Sequence, residues 1–202
     1  MSANGKDDSA VYGTPRFMAP EIVTGKAKPS RNTDLYSLAV LLFYMFMMGH
    51  PLEGKLEASI RCMDIHAMNR LYGTQPVFIY DPLNKRNRPV AGYQDNVIIY
   101  WEIYPKFIRD LFTKSFTDGL TQPNRRVTEN QWLDALANLL TGLMTCPSCG
   151  AEVFYDAHQA DKGIQRTCWN CNGEVSHPIC MVVGKSRVLL RKNAKIFSHS
   201  LF

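Results

Sequence analysis

The sequence predicts a mainly α-helical first part joined to a small β-rich second part, and three observations predict it. A long apolar run, LYSLAVLLFYMFMM at residues 35–48, is flanked by shorter segments of helical period. Prolines and glycines stand where helices would begin and end. After Met144 the texture changes to short alternating runs set around two Cys-x-x-Cys pairs.

Taken in order, the first ten residues are polar, and APEIV then predicts a short helix with Pro20 in its first turn. After the loop GKAKPSRN, Thr33 and Asp34 suit an N-cap for the apolar helix, and Gly49 with Pro51 ends it. A helix apolar on nearly every face is expected to be central and wrapped by others. Residues 54–71 place Leu56, Ile60, Met63, Ile65, Met68 and Leu71 near helical period, which predicts an amphipathic surface helix stopped by Gly73, with Cys62 packed in it. Residues 74–94 carry Pro76, Pro82 and Pro89 and predict a long ordered loop. Two more helices are expected over 105–116 and 128–143, the second opened by a capping box of Thr128 and Gln131. A boundary near residues 142–145 divides the chain into parts 1–143 and 144–202, with no internal repeat or low-complexity tract.

The totals bound what these parts can do. A chain of 202 residues with 46% hydrophobic side chains buries one good core and a small satellite. A formal net charge of +5 is too mild to demand a polyanionic partner. The basic tail KSRVLLRKNAK, residues 185–195, reads as a solvated strand pair around Val188, Leu189 and Leu190 rather than a nucleic-acid stripe. The polar opening MSANGKDDSA is no signal peptide, so a cytoplasmic setting is expected. The run at 35–48 falls short of the roughly 18–20 residues of a membrane span, so no membrane partner is expected.

Gly13–Glu21 reads GTPRFMAPE, followed by the acid-led apolar helix from Asp34, then GHPLEG, then NRRVTENQWL from Asn124. In order and spacing these residues resemble the large C-terminal lobe of eukaryotic-type serine/threonine protein kinases, over roughly residues 11–141. The arrangement also resembles that of bacterial kinases of this type. The resemblance implies that Gly13, Thr14 and Pro15 form the loop beside the substrate's acceptor residue. Thr14 would then bond the catalytic-loop groups and go with Ser/Thr specificity. Glu21 would pair with an arginine ahead of the last large helix: Arg126 matches the family's R-P-T as R-V-T, and Arg125 is the competing register. A partly buried carboxylate calls for a bidentate partner, and the guanidinium fork supplies one. Asp34 resembles the family aspartate whose carboxylate holds the catalytic-loop backbone. Tyr36 and Ala39 depart from the family's tryptophan and glycine.

Phosphoryl transfer by this family needs a glycine-rich loop, a strand lysine, an H-R-D-type base and a D-F-G aspartate for magnesium. None occurs in the 202 residues, and before Gly13 the only aspartates are Asp7 and Asp8. The expectation is therefore a fragment that begins inside the activation segment. It would be the substrate-side lobe of a parent that uses ATP and Mg to phosphorylate protein Ser/Thr, and inactive alone. The face left by the missing lobe is expected to expose apolar side chains and to invite self-association or a partner protein. The alternative is a pseudokinase or zinc-ribbon scaffold that binds protein partners or nucleic acid. Whether Ser9 is phosphorylated is not readable from its neighbours.

Cys146, Cys149, Cys168 and Cys171 give C-x2-C-x18-C-x2-C, the spacing of a four-thiolate structural zinc site. Four thiolates close the shell and leave no position for a catalytic water. Gly150 and Gly173 each stand just beyond a pair, where a tight knuckle calls for positive φ. Four free thiols or two disulfides are the alternative, and His177 and Cys180 are near enough to substitute as ligands. His50, His66, His158 and His199 have no partner that sequence can name.

Overall fold

A computed structural model of the chain describes residues 13–155, 167–175, 179–183 and 186–190. Helices come first: α1 (Pro20–Val23), α2 (Arg31–Met47), α3 (Lys55–Ala58), α4 (Ile65–Met68), α5 (Asp95–Ile103), α6 (Lys106–Phe116), α7 (Asp118–Thr121) and α8 (Glu129–Thr141). Two antiparallel hairpins follow, β1 (Leu143–Thr145) with β2 (Glu152–Phe154), and β3 (Ile179–Val183) with β4 (Ser186–Leu190). Ser9, His158, His177 and His199, and the side chain of Cys180, lie outside what is described. Among the described residues, no helix is long and apolar enough to cross a membrane.

The core forms around α2. Phe43 is fully buried and meets Phe112 at 5.0 Å, Phe78 and Phe116 at 5.9 Å, and Trp101 at 6.3 Å between ring centroids. The three phenylalanines meet Phe43 edge to face, which brings the positive ring edge to the negative face and adds directional attraction to their apolar burial. Helices α5, α6 and α8 supply Val97 and Trp101, Ile108, Phe112 and Phe116, and Trp132, Ala135 and Leu139 to the same cluster.

Two expectations for α2 need correction. The N-cap is Ser30, not Thr33 or Asp34: Ser30 Oγ accepts the Thr33 N–H at 3.4 Å, and Thr33 Oγ1 accepts the Ser30 N–H at 2.8 Å. A reciprocal box satisfies two end donors at once, which a single cap cannot do. Asp34 then sits in the first turn, near the positive end of the helix dipole. The helix is also not wrapped on all sides, because Leu41, Tyr44, Met45 and Met48 are exposed along one edge. Met48 itself takes the left-handed turn at the exit, with φ 51°, one residue before Gly49.

Residues 54–71 do not form one helix. Ser59 Oγ donates to the Leu56 carbonyl at 2.8 Å and closes α3, while the Asp64 carboxylate accepts the Ala67 N–H at 2.7 Å and opens α4. Local side-chain bonds thus outcompete the helical ladder. A π-helical turn, Asn69–Thr74, follows. Leu56, Ile60, Met68 and Leu71 still reach a satellite core with Leu52 and Tyr72, but Met63 and Ile65 are exposed. Cys62 is exposed too, contrary to the packing role expected of it.

The loop over 75–94 is ordered by side chains that bond its backbone, among them Asp81, Arg88, Gln94 and above all Asn87. Buried Asn87 donates to the Leu52 and Val77 carbonyls at 2.9 and 2.7 Å and accepts the Leu56 N–H at 2.9 Å. Helix α5, which periodicity does not announce, comes next. Its VIIYW stretch is apolar throughout, so the buried pair Val97 and Trp101 is masked by neighbours. Helix α8 opens as expected, with Thr128 and Gln131 in a capping box.

The chain passes from α8 into β1 without a linker, and the Tyr155 N–H donates back to the Gly142 carbonyl at 2.8 Å. Strand β2 faces two ways: Val153 is buried with Cys146, Cys168 and Val175, whereas Phe154 packs on the helical core and stands 5.1 Å from Tyr104.

Truncating the central ring, Phe43→Ala, is expected to cost about 3–5 kcal/mol, read as a lowered urea midpoint at unchanged slope.

Candidate functional site

Helix α1 carries Glu21 and the segment entering α8 carries Arg126, and the fold brings them together. Arg126 Nη1 and Nη2 donate to the two carboxylate oxygens of Glu21 at 2.7 and 2.9 Å. The rest of the fork is also engaged: Nε donates to the Gly119 carbonyl at 2.9 Å, and Nη1 to that of Asn32 at 2.8 Å. The guanidinium lies over the Tyr36 ring, 5.2 Å from its centroid. Burial pushes the Glu21 carboxyl up, but the bonds from Arg126 and its own helix-end backbone outweigh it and hold the group below the ordinary carboxylate range. Arg125, the competing register, is exposed and pairs loosely with Asp118 at 3.6 Å.

Gly13 and Thr14 are exposed and lead into a 3-10 turn, Pro15–Phe17, that starts at Thr14. The Phe17 and Met18 N–H groups close this turn on the Thr14 and Pro15 carbonyls at 2.9 and 3.2 Å. Asp34 is exposed and has no side-chain partner among the described residues. The structure does not bring it into contact with Thr14.

Sequence reasoning missed the network behind this turn. Arg16 forks onto Glu53, with Nε at 2.6 Å and Nη2 at 2.5 Å from the two oxygens. Tyr72 donates to the same carboxylate at 2.7 Å. His50 is fully buried, its Nε2 2.7 Å from the Arg16 carbonyl and its Nδ1 accepting the Leu52 N–H at 3.2 Å. These two partners fix the neutral tautomer with the proton on Nε2. Burial, against the pull of the Glu53 charge and the Arg16 carbonyl, pushes the imidazole down to about 4. A recess of about 560 Å³ opens here, lined by Arg16, His50, Glu53, Glu57, Tyr93 and Asp95 among others.

The second constellation is the cysteine cluster. The sulfurs of Cys146, Cys149, Cys168 and Cys171 all lie within 4.8 Å of one another and can hold a metal ion. Two knuckles position them. The Cys146 N–H donates to the Ala151 carbonyl and the Cys168 N–H to that of Gly173, each at 2.8 Å. Gly150 takes φ 76° as expected, but in the second knuckle the left-handed residue is Asn172, at φ 57°, not Gly173. Gly173 is needed for space instead, since a Cβ there would stand 3.1 Å from Ser148 Oγ and 3.2 Å from Cys171 Sγ. The Ala151 N–H, then the Asn170 amide, hold the Cys149 thiol down to about 6. For Cys171 the Gly173 N–H acts the same way, yet the crowding sulfurs, Cys149 foremost, raise it to about 12. Four sulfurs this close repel one another as thiolates, and a cation among them removes that repulsion. Four thiolates form a complete tetrahedral donor set, so the residues present fit a closed, structural metal site.

A family model described as protein kinase domain matches residues 2–135. Protein kinase C-like 1 of Candida albicans is 48% identical over 52 residues, covering 26% of this chain and 5% of that protein. The serine/threonine-protein kinase PknD of Chlamydia abortus is 32% identical over 77 residues, covering 38% of this chain and 8% of that protein. The chain thus spans only a small part of the length of either relative.

Removing one partner of the clamp, Glu21→Ala, leaves the buried Arg126 charge unanswered and is expected to cost about 3–5 kcal/mol in urea denaturation. The carboxyl of Glu21 is held below its unfolded value, so its contribution is fully present above about pH 4.3 and is lost as pH falls through the folded value. In Glu21→Gln, the acid limb of the stability profile should be correspondingly shallower.

Proposed function

The chain belongs to the protein kinase domain family, and on that premise we propose that it is the substrate-side lobe of a serine/threonine protein kinase, spanning residues 1–143, with a zinc ribbon over 144–202. In a full-length parent it serves phosphoryl transfer from Mg·ATP to protein Ser or Thr. The observation that carries this reading is the Glu21–Arg126 clamp, because it ties the end of GTPRFMAPE to the entrance of α8 across 105 residues. That tie fixes α1, the helix that directly follows the Gly13–Pro15 loop where the acceptor hydroxyl of a substrate would approach.

The groups that bind ATP and magnesium and accept the proton are not among the 202 residues, so the chain by itself does not transfer phosphate. Its contribution is orientation, which sets the geometry of attack. The ion suited to the four thiolates is zinc, held by Cys146, Cys149, Cys168 and Cys171 as a structural group. Reduced thiols agree with a cytoplasmic setting.

A second reading, a scaffold without chemistry, is favoured by the exposed edge of α2, where Leu41, Tyr44, Met45 and Met48 offer an apolar surface to a partner protein or a second copy.

The deciding experiment grafts the upstream half of a related serine/threonine kinase, through its D-F-G motif, onto Gly13. The graft is expected to transfer labelled phosphate to Ser and Thr peptides and not to Tyr peptides, and Thr14→Ala should abolish transfer. The ungrafted chain should transfer none. A folded graft that phosphorylates nothing leaves the scaffold reading standing. Elemental analysis should find one zinc per chain, lost in Cys168→Ser.

A further inference from the structure

The turn that carries the proposed acceptor loop is held from behind by His50 and Glu53, two residues of the GHPLEG stretch to which the sequence resemblance assigns no role. Arg16 lies two residues beyond Thr14, and both its main chain and its side chain are restrained from the segment that follows α2. His50 Nε2–H takes the Arg16 carbonyl, and Glu53 takes the guanidinium through both carboxylate oxygens. The two restraints are themselves anchored. His50 is fixed by the Leu52 N–H and packs edge-on against Phe17 and Tyr72, and Glu53 is fixed by the Tyr72 hydroxyl.

We infer that His50 and Glu53 are positioning residues for the acceptor loop: they lock Arg16 at backbone and side chain, and so set where Gly13, Thr14 and Pro15 present themselves to a substrate. The inference rests on the reading of this chain as the substrate-side lobe.

The geometry separates this lock from the Glu21–Arg126 clamp. The clamp secures α1 and the entrance of α8, after the turn. The lock acts before α1, on a segment whose own backbone bonds, among the described residues, are the two closing its 3-10 turn. A segment with so few internal bonds keeps one conformation only where its surroundings impose it. A bidentate ion pair and a buried imidazole bond on one residue impose both position and orientation. The lock also uses up the charge of Arg16. The recess beside the loop therefore presents the carboxylates of Glu57 and Asp95, not a free guanidinium, to whatever enters it.

Hydrogen exchange on the full chain tests this. In His50→Phe and Glu53→Gln, the Phe17 and Met18 amides are expected to exchange at least about tenfold faster, while the Trp132 amide in α8 keeps its wild-type rate. His50→Gln, whose amide still donates to the Arg16 carbonyl, should restore most of the protection. If His50→Phe does not fold, Glu53→Gln and Tyr72→Phe carry the same comparison. Unchanged Phe17 and Met18 exchange would overturn the inference, as would an equal rise in α8, which is the mark of general destabilisation. In the grafted kinase the same variants should raise KM for the acceptor peptide at least about fivefold with KM for ATP unchanged. A graft inactive even with the native lobe would count against the kinase reading and leave the exchange result standing. An active graft whose peptide KM ignores these substitutions would sink the positioning role.

Discussion

A charged guanidinium taken out of water must be answered where it lies, and the fold is arranged around answering Arg126. Its donors reach Glu21 twice, the Gly119 carbonyl and the Asn32 carbonyl, and its face rests on Tyr36. Those partners belong to α1, α7 and the first two turns of α2, so one side chain fixes three helices against one another. The desolvation of such an ion amounts to several kcal/mol and is offset only when every partner is in place. The pair thus selects one arrangement over others more than it deepens the stability of that arrangement.

Beside this ionic node, the aromatic cluster around Phe43 is the apolar counterpart. Helices α5 and α6 send rings to Phe43 of α2, and α8 joins the same cluster through Trp132 on Phe112 of α6. The long loop between the π-helical turn and α5 keeps its shape without a ladder, because Asn87, Asp81, Arg88 and Gln94 supply hydrogen bonds that a helix or strand would have supplied. Irregular chain can be ordered this deeply only when its polar backbone groups are paired.

How much of this was legible in the sequence depends on the distance over which each signal acts. The capping box of α8, the existence of α2 and the clustering of the four cysteines follow from local patterns and were readable, whereas the N-cap of α2 and the left-handed Asn172 of the second knuckle were not. The pairing of Glu21 with Arg126 was readable through the motifs on either side, although nothing in the sequence pointed to Tyr36 as the ring beneath the guanidinium. Residues 54–71 misled because Ser59 and Asp64 can each bond nearby backbone, and such bonds override a helical period. Helix α5 was hidden because a uniformly apolar stretch has no periodicity to display. The network of Arg16, His50, Glu53 and Tyr72 was not readable for a different reason: its hydrogen bonds join residues 19 to 37 positions apart, and no spacing in the sequence announces which of them meet.

Strand β2 has a further consequence. Adjacent residues of a strand point to opposite sides, so Val153 and Phe154 place the cysteine cluster and the helical core on the two faces of a single peptide unit. One residue step thus separates the packing of the cysteine knuckles from the packing of the helices, and a displacement of the knuckles is passed through β2 to the ring of Tyr104.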